Sequence, residues 1–260
     1  MLAPSGLLAE EGRKTRFYVL EQYFLENGTQ PGRIHDFFAK ALVPAMDRVH
    51  KGPKIFLEAL VAPHMPQVAL IIGVESPDQI WSISKALFSD QEFNRAFDQW
   101  EAGEPPYVSA SAALLEASAY SPEIEVSGKP PDVPRIFELR TYHSPTARQL
   151  KALHERFAGP ETKIFHRAGV HPLFYSSTIF GANRPNLTYL IPFDTLAARE
   201  KAWAAFGADE EWIRVRKESI DRSGQISSVI QISLFDREHV QPDPRISSGD
   251  RLRRDLLQRS

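Results

Sequence analysis

Sliding the chain along itself by 119 residues superposes 16–120 on 135–239 without a gap and gives 17 identities in 105 positions. Ordinary composition alone gives roughly 6%. The matches fall where backbone or core is constrained: Leu20/Leu139, Tyr23/Tyr142, His35/His154, Phe38/Phe157, Pro53/Pro172, Pro66/Pro185, Ile72/Ile191, Asp90/Asp209 and Glu92/Glu211. Conservative pairs at the same offset, such as Phe56/Tyr175, Val68/Leu187, Glu75/Asp194 and Phe93/Trp212, fill the spaces between them. A duplication of this kind sets the architecture before any motif is considered. The spacing predicts a first unit at 16–120 and a second at 135–239. A linker at 121–134 carries Pro122, Gly128, Pro130 and Pro131, and 1–15 and 240–260 form terminal tails.

Within each unit the apolar period changes in a fixed order. In the first, 18–23 alternates with a strand period of two, and Ile34, Phe37, Phe38, Ala41, Leu42, Ala45 and Val49 then follow helical spacing, with Pro44 expected to kink the helix. Two β-rich runs, 55–61 and 67–74, flank a hairpin. Ser76-Pro77-Asp78 starts a second helix, Asp90 caps its continuation, and 107–115 closes the unit as a strand. The second unit repeats this with strands at 135–142, 173–180, 187–193 and 225–234 and helices at 146–158, 196–206 and 209–217. The β-α-β-β-α-β order is the ferredoxin-like split βαβ, an α+β unit with both helices on one face of a four-stranded antiparallel sheet. Two such sheets are expected to pack open face to open face as a barrel within one chain.

Composition narrows the chemistry. With 260 residues, 42% hydrophobic, the chain is long enough for a substantial core. The absence of cysteine excludes disulfides, thiolate nucleophiles and Cys-based metal sites. A balance of 31 Lys+Arg against 33 Asp+Glu argues against a nucleic-acid surface. No apolar run reaches the roughly 18–20 residues of a transmembrane helix. Leu7-Leu8-Ala9 reads either as the trimmed end of an export signal or as an ordinary N-terminus, so a soluble cytoplasmic and an exported location are both compatible with it. Nucleotide-binding loops, G-x-S-x-G and metal-protease motifs are absent, so no cofactor is expected.

Phe137-Glu-Leu-Arg-Thr-Tyr142 resembles the opening strand of NIPSNAP-type domains. Leu196-Ala-Ala-Arg-Glu-Lys-Ala-Trp203 with Asp209-Glu-Glu-Trp212 resembles their second helix and its extension. Tyr18-Val-Leu-Glu-Gln-Tyr23 and Asp90-Gln-Glu-Phe93 look like a degenerate copy. The resemblance implies a dimeric α/β barrel, a fold shared with cofactor-independent monooxygenases, small-ring isomerases and haem-degrading enzymes. It therefore implies a small-molecule pocket without naming a reaction. Two classes stay open, a non-catalytic small-molecule-binding or interaction protein and, as the alternative, a monooxygenase- or isomerase-like enzyme. Further homodimerisation of the pseudo-dimer is compatible with both.

The alternation in the opening strands is read as placing Tyr18, Leu20, Phe137 and Leu139 against the helices, and Glu21, Tyr23, Glu138, Arg140 and Tyr142 in the barrel interior. Ionised groups there need partners, so these five form either a structural salt-bridge network or a polar pocket between the sheets. In the pocket, Arg140 would orient a ligand and Glu21 or Glu138 would act as a base. His64, His143, His166 and His171 lie near strand ends but lack metal-ligand spacing, so no metal site is expected. The repeated His35 and His154 read as a shared helix-packing position. Arg251, Arg253, Arg254 and Arg259 among leucines give the tail the pattern of either a docking helix or a frayed end.

Overall fold

The protein is described as a computed structural model that covers residues 14–124 and 135–237. The expectations for the N-terminal leader, most of the linker and the Arg-rich tail lie outside the described residues. The first unit runs β1 (Phe17–Phe24), α1 (Gln30–Phe37), α2 (Val43–Val49), β2 (Lys54–Val61), β3 (Gln67–Val74), α3 (Pro77–Ser89), α4 (Gln91–Glu101) and β4 (Ser109–Ala117). The second runs β5 (Ile136–His143), α5 (Ala147–Arg156), α6 (Thr162–Ala168), β6 (Phe174–Phe180), β7 (Asn186–Phe193), α7 (Leu196–Ala208), α8 (Glu210–Ser223) and β8 (Val229–Arg237). These are two ferredoxin-like βαββαβ units, as the repeat predicts.

The eight strands close into one antiparallel barrel in the order β1-β3-β2-β8-β5-β7-β6-β4. Every strand lies four places round the barrel from its counterpart, so the pseudo-two-fold axis runs along the barrel. The inner layer holds Tyr18, Leu20, Leu57, Ile71, Leu115, Phe137, Leu139, Phe174, Leu190 and Phe235, and Tyr18 stacks on Phe174 at 4.3 Å between centroids. Each sheet's outer face carries its own helical layer. Phe56, Val68 and Leu70 pack with Phe37, Phe38, Phe93 and Trp100 in the first unit. Tyr175, Leu187 and Tyr189 pack with Phe157, Phe165 and Phe206 in the second. Burial of each large apolar side chain contributes about 1.5–3 kcal/mol, so the two sheets depend on one another through the inner layer.

Local devices repeat with the sequence. Asp90 and Asp209 cap α4 and α8 through backbone N–H groups, and each carboxylate is also held by an arginine, Arg48 on α2 and Arg167 on α6. Instead of a break at Pro44 the helix carries a π-helical turn at Phe38–Leu42 just before it, in which the Val43 N–H reaches back to the Phe38 carbonyl. Phe157–Glu161 forms the corresponding turn in the second unit, with Pro160 inside it and Gly159 leaving the helical conformation. Pro66 and Pro185, equivalent in the repeat, both follow cis peptide bonds.

Expressed alone, residues 135–237 would expose Phe137, Leu139, Phe174, Leu190 and Phe235, all of which are buried in the barrel. The expected outcome in sedimentation velocity is a homodimer or aggregate, and a stable monomer would contradict the barrel's dependence on both sheets.

Candidate functional site

The structure inverts the predicted faces. Tyr18, Leu20, Phe137 and Leu139 belong to the barrel interior, while Tyr23 and Tyr142 pack in the two helical layers. Alternation separates the faces of a strand but does not say which one the helices cover, and here both are buried. The five predicted residues also divide into two groups. In the first unit the Tyr23 hydroxyl donates to Glu21 Oε2 at 2.8 Å, and its ring meets Phe38 and Tyr107 edge-on. Glu138, Arg140 and Tyr142 lie together in the second unit's helical layer.

Glu138 is fully buried and organises that group. Its Oε1 lies 3.1 Å from Arg140 Nη1, while Oε2 accepts from Arg199 on α7 and, at 3.0 Å, from the Trp203 indole N–H. The Arg140 guanidinium sits 4.1 Å over the Trp203 ring and 5.5 Å over Tyr142. Burial opposes its charge, but the facing Tyr189 and Tyr142 phenols and Glu138 hold it protonated, with its pKa raised. A second pair lies alongside. Arg156 Nε donates to Glu161 Oε2 at 2.6 Å, with its other nitrogen on Ser219 and its guanidinium 4.9 Å from the Trp212 ring. Burial pushes the Glu161 carboxyl up to about 7, with Arg156 and then Arg140 opposing the shift. Burial likewise raises the Tyr142, Tyr175 and Tyr189 phenols, so all three keep their protons. Arg140 Nε, Glu138 Oε1 and the Tyr175 and Tyr189 hydroxyls are buried without a well-formed hydrogen bond among the described residues, the Tyr189 hydroxyl lying beside that of Tyr142.

His154 crosses the same layer. Its Nε2 lies 2.7 Å from Ser177 Oγ and its Nδ1 lies 2.8 Å from the Tyr120 hydroxyl. Burial lowers its pKa to about 4 and raises that of Tyr120, so a neutral imidazole faces a protonated phenol. The Tyr120 and Ser177 hydroxyls thus bond the two ring nitrogens from opposite sides, each able to donate or to accept, and the trio forms a polar strut across the layer. The expectation of a helix-packing role for His154 omitted these polar contacts. His35, its counterpart, faces Glu58 at 3.5 Å.

The sister unit provides an internal control. At the repeat offset, Glu138, Arg156, Glu161, Tyr189 and Arg199 correspond to Val19, Phe37, Leu42, Leu70 and Ile80. The fold is thus built once with an apolar layer and once with a charged one. Sequence reasoning missed Glu161, Tyr175, Tyr189, Arg199 and Trp203. Comparing the two halves position by position, for polar residues opposite apolar ones, would have found most of them. His166 and His171 stack at 5.0 Å, and His64 Nε2 bonds the Leu25 carbonyl. Among the described residues no three His, Asp or Glu side chains are placed to hold a metal ion.

Replacing Glu138 by Gln leaves Arg140 and Arg199 without a counter-charge. It is expected to cost about 3–5 kcal/mol in urea unfolding, whereas Arg140→Met leaves Glu138 with Arg199 and Trp203 and should cost less. The buried acid and base give opposed pH effects. Glu161, raised from 4.5 to about 7, makes stability fall as pH rises through that window. His154, lowered from 6.5 to about 4, makes stability rise between those values. Glu161→Gln should therefore leave a melting temperature that climbs from pH 4 to 6.5, where the wild-type profile is flatter. Equal slopes in the two proteins would show that Glu161 titrates normally.

Comparison with known proteins agrees with this architecture. Residues 137–232 match the NIPSNAP family model. No curated protein matches. An anthrone oxidase-like protein superposes with a TM-score of 0.52 at 13% identity, over 87% of this chain and 92% of that one. A putative monooxygenase from Fusobacterium nucleatum subsp. nucleatum gives 0.53 at 9% identity, over 86% and 92%. A putative chlorite dismutase gives 0.51 at 13% identity, over 91% and 97%. Identities this low establish a shared fold only. Residues 137–232, the part of the chain that carries the buried charge cluster, are thus similar to NIPSNAP domains and lie in a closed eight-stranded α/β barrel formed within one chain.

Proposed function

We propose that the protein binds a small organic anion in the helix-covered layer of its second unit, with Arg140 as anchor and the Tyr175 and Tyr189 hydroxyls as donors. The observation that carries this is the group of buried donors without partners, Arg140 Nε, Tyr175 OH and Tyr189 OH, on one face of one sheet. Buried polar groups are nearly always satisfied, and three open donors beside one open acceptor, Glu138 Oε1, which already faces Arg140 Nη1, leave more donors than acceptors and fit a missing acceptor. Charge supports the sign of the ligand: three guanidiniums, of Arg140, Arg156 and Arg199, stand against two carboxylates, of Glu138 and Glu161. The apolar sister layer supports a role beyond folding, because the fold forms without the cluster.

Glu161 favours a second reading, an enzyme of the cofactor-independent monooxygenase or isomerase type. A carboxyl raised to about 7 is suited to exchange protons near neutrality. Glu161 would accept a proton from an acidic C–H or O–H of the ligand, and Arg140 would hold the resulting oxyanion. The anthrone oxidase-like and monooxygenase neighbours fit this chemistry without establishing it.

Thermal melts against aromatic carboxylates and quinones test the binding. A ligand that binds the native state raises the melting temperature by mass action. Arg140→Met is expected to fold and to weaken binding about 10- to 100-fold, the worth of one hydrogen bond to a charged group, and Tyr189→Phe to weaken it less. If no compound shifts the wild type, or Arg140→Met keeps the full shift, the anion site is wrong. Under the enzyme reading, Glu161→Gln binds normally and fails to turn the ligand over.

A further inference from the structure

Two strands of the barrel outrun a neighbour on one side. β4 pairs with β1 from Ser109 to Glu116 but meets β6 only from Leu114 onwards. β8 likewise pairs with β5 from Val229 to Asp236 but meets β2 only from Leu234 onwards. Ser109–Ala113 and Val229–Ser233 therefore each have a free edge, where alternate residues turn their backbone N–H and C=O groups to solvent rather than to another described strand. Register makes the two edges equivalent, since Glu21 and Tyr23 lie opposite Ala112 and Ala110 while Arg140 and Tyr142 lie opposite Ile232 and Ile230. Their side chains differ. The first edge reads Ser-Ala-Ser-Ala-Ala and the second Val-Ile-Gln-Ile-Ser. Val229, Ile230 and Ile232 are 50%, 47% and 40% exposed. Free edges of soluble proteins are usually blunted by a charge or a proline, and residues 224–235 contain neither.

We propose that the free edge of β8 is an interface between two copies of this chain, paired antiparallel about a two-fold axis at Gln231. The stretch is its own complement. With Gln231 on the axis, Ile230 of each copy lies opposite Ile232 of the other, and Val229 lies opposite Ser233. Ile230 and Ile232 share one side of the strand, so the two Ile–Ile pairs merge into a single apolar strip, the kind of β-branched cross-strand pairing that stabilises sheets. The contact also continues a seam that the fold already uses. β2 and β8 join the two units from Leu57↔Arg237 to Val61↔Leu234, where a bulge between Ala59 and Val61 bends β2 away. A second copy takes the place beside β8 that β2 gives up, and the exposed Leu60 and Val61 flank it. The absence of charge favours a copy over an acidic or basic peptide, which would find no counter-charge along residues 224–235. The sister edge offers the same backbone but, with Ala110 and Ala112 in place of the isoleucines, little apolar area to bury. One such edge per copy gives a closed pair rather than a filament.

The test uses the full chain. Sedimentation velocity across micromolar concentrations is expected to show a reversible monomer–dimer equilibrium and no larger species. A two-fold contact counts each substitution twice, so Ile232→Lys should weaken association at least about 100-fold, whereas Ala112→Lys on the sister edge should leave it unchanged. Ile232 is exposed in the single chain, so the lysine variant should keep the circular dichroism spectrum of the wild type. Because the chain lacks cysteine, Gln231→Cys gives a single thiol on the axis. Mild oxidation should link two copies through it and leave Ser111→Cys unlinked. A monomer at every concentration, a dimer that Ile232→Lys leaves intact, or linkage through Ser111→Cys as readily as through Gln231→Cys would each overturn the interface. Slow amide hydrogen exchange at Val229–Ser233 in a monomeric protein would overturn it too, because another segment of the same chain would then occupy that edge.

Discussion

Each sheet of this protein is buried on both faces, and that constraint shapes everything else. A ferredoxin-like unit covers one face of its sheet with helices and leaves the other open. With Phe137 and Leu139 on that open face and Tyr142 on the covered one, β5 finds a stable environment only inside a closed barrel. The same holds for β1, whose Tyr18 and Leu20 meet the opposing sheet. The duplication supplies the second sheet at high local concentration, so closure within the chain avoids the loss of translational freedom that two separate chains would incur.

Closure also relaxes what each helical layer must contain. The first unit fills its layer with phenylalanine, leucine and tryptophan, and Phe37 stacks on Trp100 at 4.3 Å. The second holds Glu138 and Glu161 at 0% and 1% exposure, which carries a desolvation penalty of several kcal/mol per ion before partners are counted. A chain whose stability rests on the barrel and one dry layer tolerates such a penalty in the other. That division of labour is a physical reason for the duplicated halves to have diverged: one is a scaffold, and the other is free to carry polar chemistry.

The fold was legible because the repeat preserves residues whose roles are local. Asp90 and Asp209 cap helices, and Gln67–Val74 has the boundaries its pattern predicts. The faces of β1 and β5 were not legible, since Tyr18 and Tyr23 are both large, aromatic and packed, and hydrophobicity does not rank two apolar sides of a strand. The candidate site was half legible. Glu138, Arg140 and Tyr142 stand out as polar residues in an apolar strand, whereas Glu161 and Arg199 sit in helices where a charged residue normally means solvent. Only their positions in space, against Arg156 and Glu138, show that they are buried partners.

The polar layer is also not the property of one unit. Ser118 and Tyr120 follow β4 of the first unit, yet Tyr120 bonds His154 and its ring lies 5.2 Å from that of Tyr175. Backbone groups reinforce this crossing: the Ser118 N–H donates to the Tyr175 carbonyl, and the Tyr175 N–H donates to Ser121 Oγ. The strand that carries Tyr175 and Ser177 is thus set in place by a segment from the other half. A second unit that paired with a copy of itself would supply a different segment there, and neither Tyr120 nor Ser118 would complete the layer. The tandem arrangement therefore fixes the identity of the neighbour as well as its presence, which is what an asymmetric site at a pseudo-symmetric interface requires.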